Sequence, residues 1–136
     1  MNKLFNRSKD APQRTVMVVE DDAPIAEVMS ELLKDEGYTA HMALSAEQAL
    51  TMLDEIPLPD LFIVDFMLGD MNGQQFIEHL RNRVGRSKMS PVLMLTASTE
   101  GEAMANASQV NDYLPKPFKN QVLLEHVARL LGDVQK

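Results

Sequence analysis

The sequence predicts an α/β domain in which a five-stranded parallel sheet lies between helices. Three observations carry that expectation. Apolar runs at residues 16–19, 61–64 and 92–95 show no alternation, as befits strands covered on both faces. Helical periods separate these runs. Carboxylates stand directly after two of them, Glu20-Asp21-Asp22 after the first and Asp65 after the second. Open α/β sheets place their ligands at that edge, outside the carboxyl ends of the strands.

Residues 1–14 are rich in Asn, Lys, Arg and Ser and hold no sustained period, so they read as a mobile basic arm ahead of a domain over 15–136. Ile25, Val28, Met29, Leu32 and Leu33 make the first helical stripe, with Asp22 as N-cap, Pro24 in the first turn and Gly37 as the stop. Tyr38, Ala40 and Met42 alternate with Thr39 and His41, which suits an edge strand. Ala46, Ala49, Leu50 and Leu53 follow Ser45 as a second stripe, and Phe76, Ile77 and Leu80 follow Asn72-Gly73 as a third. Residues 99–109 offer only Ala103, Met104 and Ala107, the stripe of a short, poorly anchored helix. Val122, Leu123, Val127, Leu130 and Leu131 make the last. This is β-α repeated five times, and right-handed crossovers then give the sandwiched sheet.

Composition narrows the functional classes. At 136 residues the chain is one domain with a real core. It lacks cysteine, which removes disulfides, thiolate metal sites and thiol nucleophiles and fits a cytoplasmic location. No stretch approaches the ~18 apolar residues of a membrane span, and no signal-peptide core is present. The net charge of −7 is uneven: residues 1–14 carry Lys3, Arg7, Lys9 and Arg14 against Asp10 alone, so the domain itself is more acidic still. An acidic body argues against direct nucleic-acid binding, which needs a basic footprint.

The end-of-strand residues suggest a chemistry. Asp65 can serve as a nucleophile, two carboxylates of the Glu20-Asp21-Asp22 set can hold a divalent cation, and Lys116, between Pro115 and Pro117, can take a dianion. Together they read as a site that receives a phosphoryl group on Asp65. Val18-Val19-Glu20-Asp21-Asp22, Ile63-Val64-Asp65-Phe66-Met67-Leu68, Met71-Asn72-Gly73, Leu95-Thr96-Ala97 and Asp112-Tyr113-Leu114-Pro115-Lys116-Pro117-Phe118 resemble the signature of response-regulator receiver domains. The resemblance spans residues 15–132. It implies a flavodoxin-like doubly wound fold with strand order 2-1-3-4-5.

It also implies roles residue by residue. Asp65 is the phospho-acceptor. Asp21 ligates Mg²⁺ directly, Glu20 through water and Met67 through its backbone carbonyl, with Mn²⁺ as the alternative ion. Lys116 pairs with one phosphoryl oxygen and the Thr96 hydroxyl donates to another. Thr96 and Tyr113 form the switch, which shifts the face made by the fourth helix, fifth strand and fifth helix. The Lys116–Pro117 bond is cis. The partners are a sensor histidine kinase or histidine phosphotransfer protein and a separate protein target, as for a stand-alone receiver that catalyses only its own phosphorylation and dephosphorylation.

Rival readings are specific. No Gly-rich phosphate loop occurs, so ATP is not the expected donor. A haloacid-dehalogenase-type phosphatase expects a second acid two residues after the nucleophile, where Met67 stands. The alternative from another class is a scaffold that keeps the acidic pocket but works without phosphorylation. Asp70 reads as a solvated loop residue rather than a fourth ligand. Arg81, Arg83, Arg86 and Lys88 read as a solvated face, and His41, His79 and His126 have no metal-ligand spacing. Gly69 replaces the family's usual proline and is expected to loosen its loop, and the Thr96–Lys116 segment is shorter than the family's. Met67 and Ser98, which offer no group to hold an attacking water, predict a persistent phosphoryl group.

Overall fold

The computed structural model describes residues 13–97 and 110–132. The described elements run β1 (Thr15–Val19), α1 (Ala23–Asp35), β2 (Thr39–Ala43), α2 (Ala46–Met52), β3 (Leu61–Asp65), α3 (Gly73–Val84), β4 (Val92–Thr96), β5 (Asp112–Pro115) and a C-terminal helix, α4 (Asn120–Leu131). Four helices are therefore described. The expected helix over 99–109, Ser98 and residues 1–12 of the expected arm lie outside the described residues.

All five strands are parallel, in the order β2-β1-β3-β4-β5. The unalternating runs are the cause: every residue of β3 and β4 is buried, as strands covered on both faces must be. Successive side chains then feed two cores. Val16, Val18, Leu61, Ile63, Leu93 and Leu95 pack toward α1 and α4, while Met17, Val19, Phe62, Val64, Val92 and Met94 pack toward α2 and α3. On the second side Phe62 and Phe76 meet edge to face, with ring centroids 6.3 Å apart.

The helix signals hold, with one correction. Asp22 caps α1 by accepting the Ile25 N–H, Ser45 caps α2 through Gln48, and Asn72 with Gln75 forms a reciprocal capping box on α3. α1 buries Ala26, Met29, Ser30 and Leu33, but Ile25 and Val28 of the predicted stripe are exposed. The chain turns α1 so that small Ala26 meets the sheet. Ile25 and Val28 instead line an open apolar groove with Pro117 and Phe118.

Candidate functional site

Parallel register carries the candidate residues to one edge of the sheet. β1 pairs Val19 with Val64 of β3, so Glu20 and Asp65 stand side by side as the next residues along. β3 pairs Asp65 with Leu95, and β4 pairs Thr96 with Pro115, which sets Thr96 and Lys116 next in line. The Lys116 N–H donates to the Thr96 carbonyl at 2.6 Å. From there its side chain reaches back over β4. Lys116 Nζ donates to Asp65 Oδ2 at 3.0 Å and to Glu20 Oε1 at 2.6 Å. The Lys116–Pro117 peptide bond is cis.

Glu20 and Asp65 are buried and Asp21 is exposed, with carboxylate oxygens from all three within 4.8 Å of one another. Burial, and then a hydrogen bond with Asp65, pushes the Glu20 carboxyl up to about 7 against the pull of Lys116. Burial works against the Lys116 ammonium, yet its bonds to Glu20 and Asp65 raise it above its ordinary value. Two of the three carboxylates, Glu20 and Asp65, thus share one ammonium, and Glu20 is driven toward neutrality. A cluster so short of positive charge, built only of hard oxygen donors, fits Mg²⁺.

Thr96 is fully buried, and its hydroxyl has no hydrogen-bond partner among the described residues. Leaving such a group unmatched costs on the order of 1–3 kcal/mol. The site therefore carries an unused donor beside Lys116. Tyr113 pairs with Met94 and packs half-buried against the α2–α3 side of the core. Met67 is 63% exposed, and its N–H donates to Asp65 Oδ1 at 3.2 Å.

The loop between β3 and α3 qualifies one expectation. Gly69 has a φ of +85°, a conformation closed to proline, and an added Cβ would lie 3.5 Å from Asp21 Oδ2. Asp70 is not merely solvated. It accepts the backbone N–H groups of Ala46 and Glu47 at the start of α2 and that of Met71. Desolvation pushes its carboxyl up, but these N–H bonds together prevail and hold it below the usual value. Gly73 is the closest approach: a Cβ there would come within 2.8 Å of the Asp65 carbonyl oxygen.

The basic cluster is largely exposed, as expected of a solvated face, and carries ion pairs: Arg83 binds Asp54 and the Leu50 carbonyl, while Arg81 and Arg86 pair with Glu78. His126 has a partner that sequence spacing did not reveal. Its Nδ1 lies 2.6 Å from Asp112 Oδ2, which also accepts from Arg129 at 2.6 Å.

A doubly wound sheet of order 2-1-3-4-5, with carboxylates and a lysine converging at the β1/β3 switch point, defines a receiver-type signalling domain. The response regulator receiver domain profile matches residues 16–128, and the chain belongs to that family, the receivers of two-component response regulators. The phosphate regulon transcriptional regulatory protein PhoB of Escherichia coli is 36% identical over 123 residues, covering 89% of this chain and 53% of PhoB. The DNA-binding response regulator MtrA of Mycobacterium bovis is 37% identical over 124 residues, covering 89% of this chain and 52% of MtrA. The chain spans about half the length of these curated relatives. Among solved structures, the chemotaxis response regulator CheY4 of Vibrio cholerae superposes with a TM-score of 0.79 at 30% identity, covering 88% of this chain and 100% of that one. A response regulator from Chloroflexus aurantiacus gives 0.81 at 32% identity, with 89% and 99% covered. Receiver domains are signalling modules that bind Mg²⁺ at an acidic pocket, here the cluster of Glu20, Asp21 and Asp65. Among the described residues no helix is long and apolar enough to cross a membrane.

Proposed function

We propose that Asp65 accepts a phosphoryl group from the phosphohistidine of a partner kinase or histidine phosphotransfer protein. The observation that carries this reading is a buried carboxylate 3.0 Å from a lysine ammonium, with two further carboxylates beside it. A carboxylate oxygen of Asp65 attacks phosphorus, the P–N bond breaks, and the donor imidazole leaves with its electron pair. Lys116 pairs with Asp65 before transfer and with a phosphoryl oxygen after it. Thr96 supplies its unused hydroxyl to another oxygen. Asp21, Asp65, the Met67 carbonyl and, through water, Glu20 would hold Mg²⁺, which when bound neutralises charge on the phosphoryl oxygens.

The output runs from Thr96 to Tyr113 and on to the face that β5 shares with α4, toward a protein target. The absence of cysteine fits a reducing compartment such as the cytoplasm, where such a donor would meet this chain. In this reading the chain acts catalytically only on itself. Incubation with Mg²⁺ and acetyl phosphate, followed by intact-mass measurement, should add one phosphoryl group to the wild type and none to Asp65→Asn. Equal labelling of both would overturn the proposal. A wild type that takes no label from any donor would favour a phosphorylation-independent scaffold.

A further inference from the structure

We infer that Asp70 is a positioning residue for the metal side of the site: it clamps the β3–α3 loop to the start of α2, so that the backbone of residues 67–69 keeps its place against Asp65 and Asp21. The inference rests on the Mg²⁺-dependent reading of the acidic cluster.

The loop is closed at its base by a bridge between Met67 and Asn72, which leaves Leu68, Gly69, Asp70 and Met71 to make the excursion. The base and the excursion both touch the site. The Met67 N–H donates to Asp65 Oδ1, and Gly69 faces Asp21 Oδ2 closely enough for a Cβ to reach contact. Two anchors hold the tip. Leu68, 2% exposed, sits in the core with Ala46 and Ala49 of α2. An apolar contact of that kind resists withdrawal but does not fix direction. Direction comes from Asp70, whose Oδ2 accepts the Glu47 N–H at 3.0 Å while Oδ1 accepts those of Ala46 at 3.3 Å and Met71 at 3.0 Å.

The first turn of α2 explains why a residue 23 to 24 positions away is used. The cap Ser45 is committed to the Gln48 N–H at 3.0 Å, and the Gln48 side chain turns back to the Leu44 N–H at 2.6 Å. The Ala46 and Glu47 donors are left over, and a helix start leaves such groups unmatched unless something outside the helix accepts from them. Asp70 takes both. One carboxylate therefore completes α2 and sets the loop in the same act, and α2 becomes the fixed part against which the metal-side backbone is held. Gly69 needs this support, because its left-handed backbone lets the loop approach Asp21 but offers no rigidity of its own.

The test separates loop positioning from simple helix capping. The full chain is titrated with Mg²⁺ alone, binding is followed by the amide resonances of Met67 and Gly69, and melting temperatures are recorded in parallel. Asp70→Ala should raise the half-saturating Mg²⁺ concentration about tenfold, the size of effect seen when the groups that orient metal ligands are removed. Asp70→Asn, which keeps an acceptor oxygen, should fall between Asp70→Ala and wild type. Ser45→Ala removes the helix's own cap and leaves the loop alone, so it should lower the melting temperature without moving the Mg²⁺ midpoint. A wild-type midpoint in Asp70→Ala, or a Ser45→Ala shift as large as its own, would overturn the inference. If Asp70→Ala does not fold, a wild-type midpoint in Asp70→Asn overturns it as well. Because binding is read without phosphate, a failure of Asp65 to accept a phosphoryl group counts against the proposed function alone.

Discussion

The two flanks of the site are built on different terms. On the β3–α3 flank the polar groups are committed: Asp65 to Lys116 and Met67, Asp70 to α2, Asn72 and Gln75 to each other. On the β4–β5 flank Thr96 is buried with its hydroxyl unmatched among the described residues, and Tyr113 is only half-buried. The first flank is a fixture whose geometry is settled before any ligand arrives. The second holds an unmet hydrogen bond, and a unit with something to gain is one that moves when the missing acceptor is supplied.

Gly73→Ala should strike the fixed flank hardest. The new methyl group would stand 2.8 Å from the Asp65 carbonyl oxygen and 2.8 Å from Met94 Sδ, and the carbonyl belongs to a fully buried strand that cannot yield. We expect a loss of about 2 kcal/mol in urea unfolding, the usual scale for overpacking, together with impaired phosphorylation. A variant as stable and as active as wild type would show that this flank is not rigid.

Asp112→Asn tests how the other flank is joined to α4. Burial pushes the Asp112 carboxyl up, but hydrogen bonds from Arg129 and His126 prevail and hold it below the usual carboxylate range. Because the folded value lies below the unfolded one, the stabilisation is complete above the unfolded pKa of about 4 and is lost as the pH falls through the folded value. The variant should therefore be less stable than wild type by about 1 kcal/mol at pH 7. The gap should close at acid pH. A gap independent of pH would mean that the charge on Asp112 does not join β5 to α4.

Thr96→Val should have the smallest effect on stability and the most informative one. Removing an unmatched hydroxyl at nearly constant shape should leave unfolding unchanged or stabilise the fold by up to about 1 kcal/mol. Coupling from Asp65 to Tyr113 should be lost, read as the absence of a change in Tyr113 resonances on phosphorylation. Marked destabilisation of this variant would show that the hydroxyl is already matched and would erase the contrast between the flanks.

Most of the fold was legible because each buried strand writes itself as an unbroken apolar run, and the starts of α1, α2 and α3 carry their own side-chain caps. The acidic cluster was legible because it follows two such runs, and Lys116 because Pro115 and Pro117 flank it. What was not legible depends on pairing across long separations. Asp70 reaches α2 from the far side of β3, and Asp112 meets His126 only after the chain has turned back along α4. Small residues also hide their burial: Ala26 and Ala128 are core, yet neither stands out beside Val28 or Leu130 in a hydrophobic pattern.

Because every strand runs the same way, the candidate residues gather at one edge of the sheet and the strands begin at the other. Leu58, 37% exposed, stands in the connection that enters that edge, where Asp60 bonds the first residue of β1. β3 alone spans roughly 13 Å from Leu61 to Asp65, and Leu58 lies three residues before its start. A cysteine introduced there would be the only one in the chain. That edge is an address for a single spectroscopic label, close enough to report on phosphorylation and far enough to leave it undisturbed.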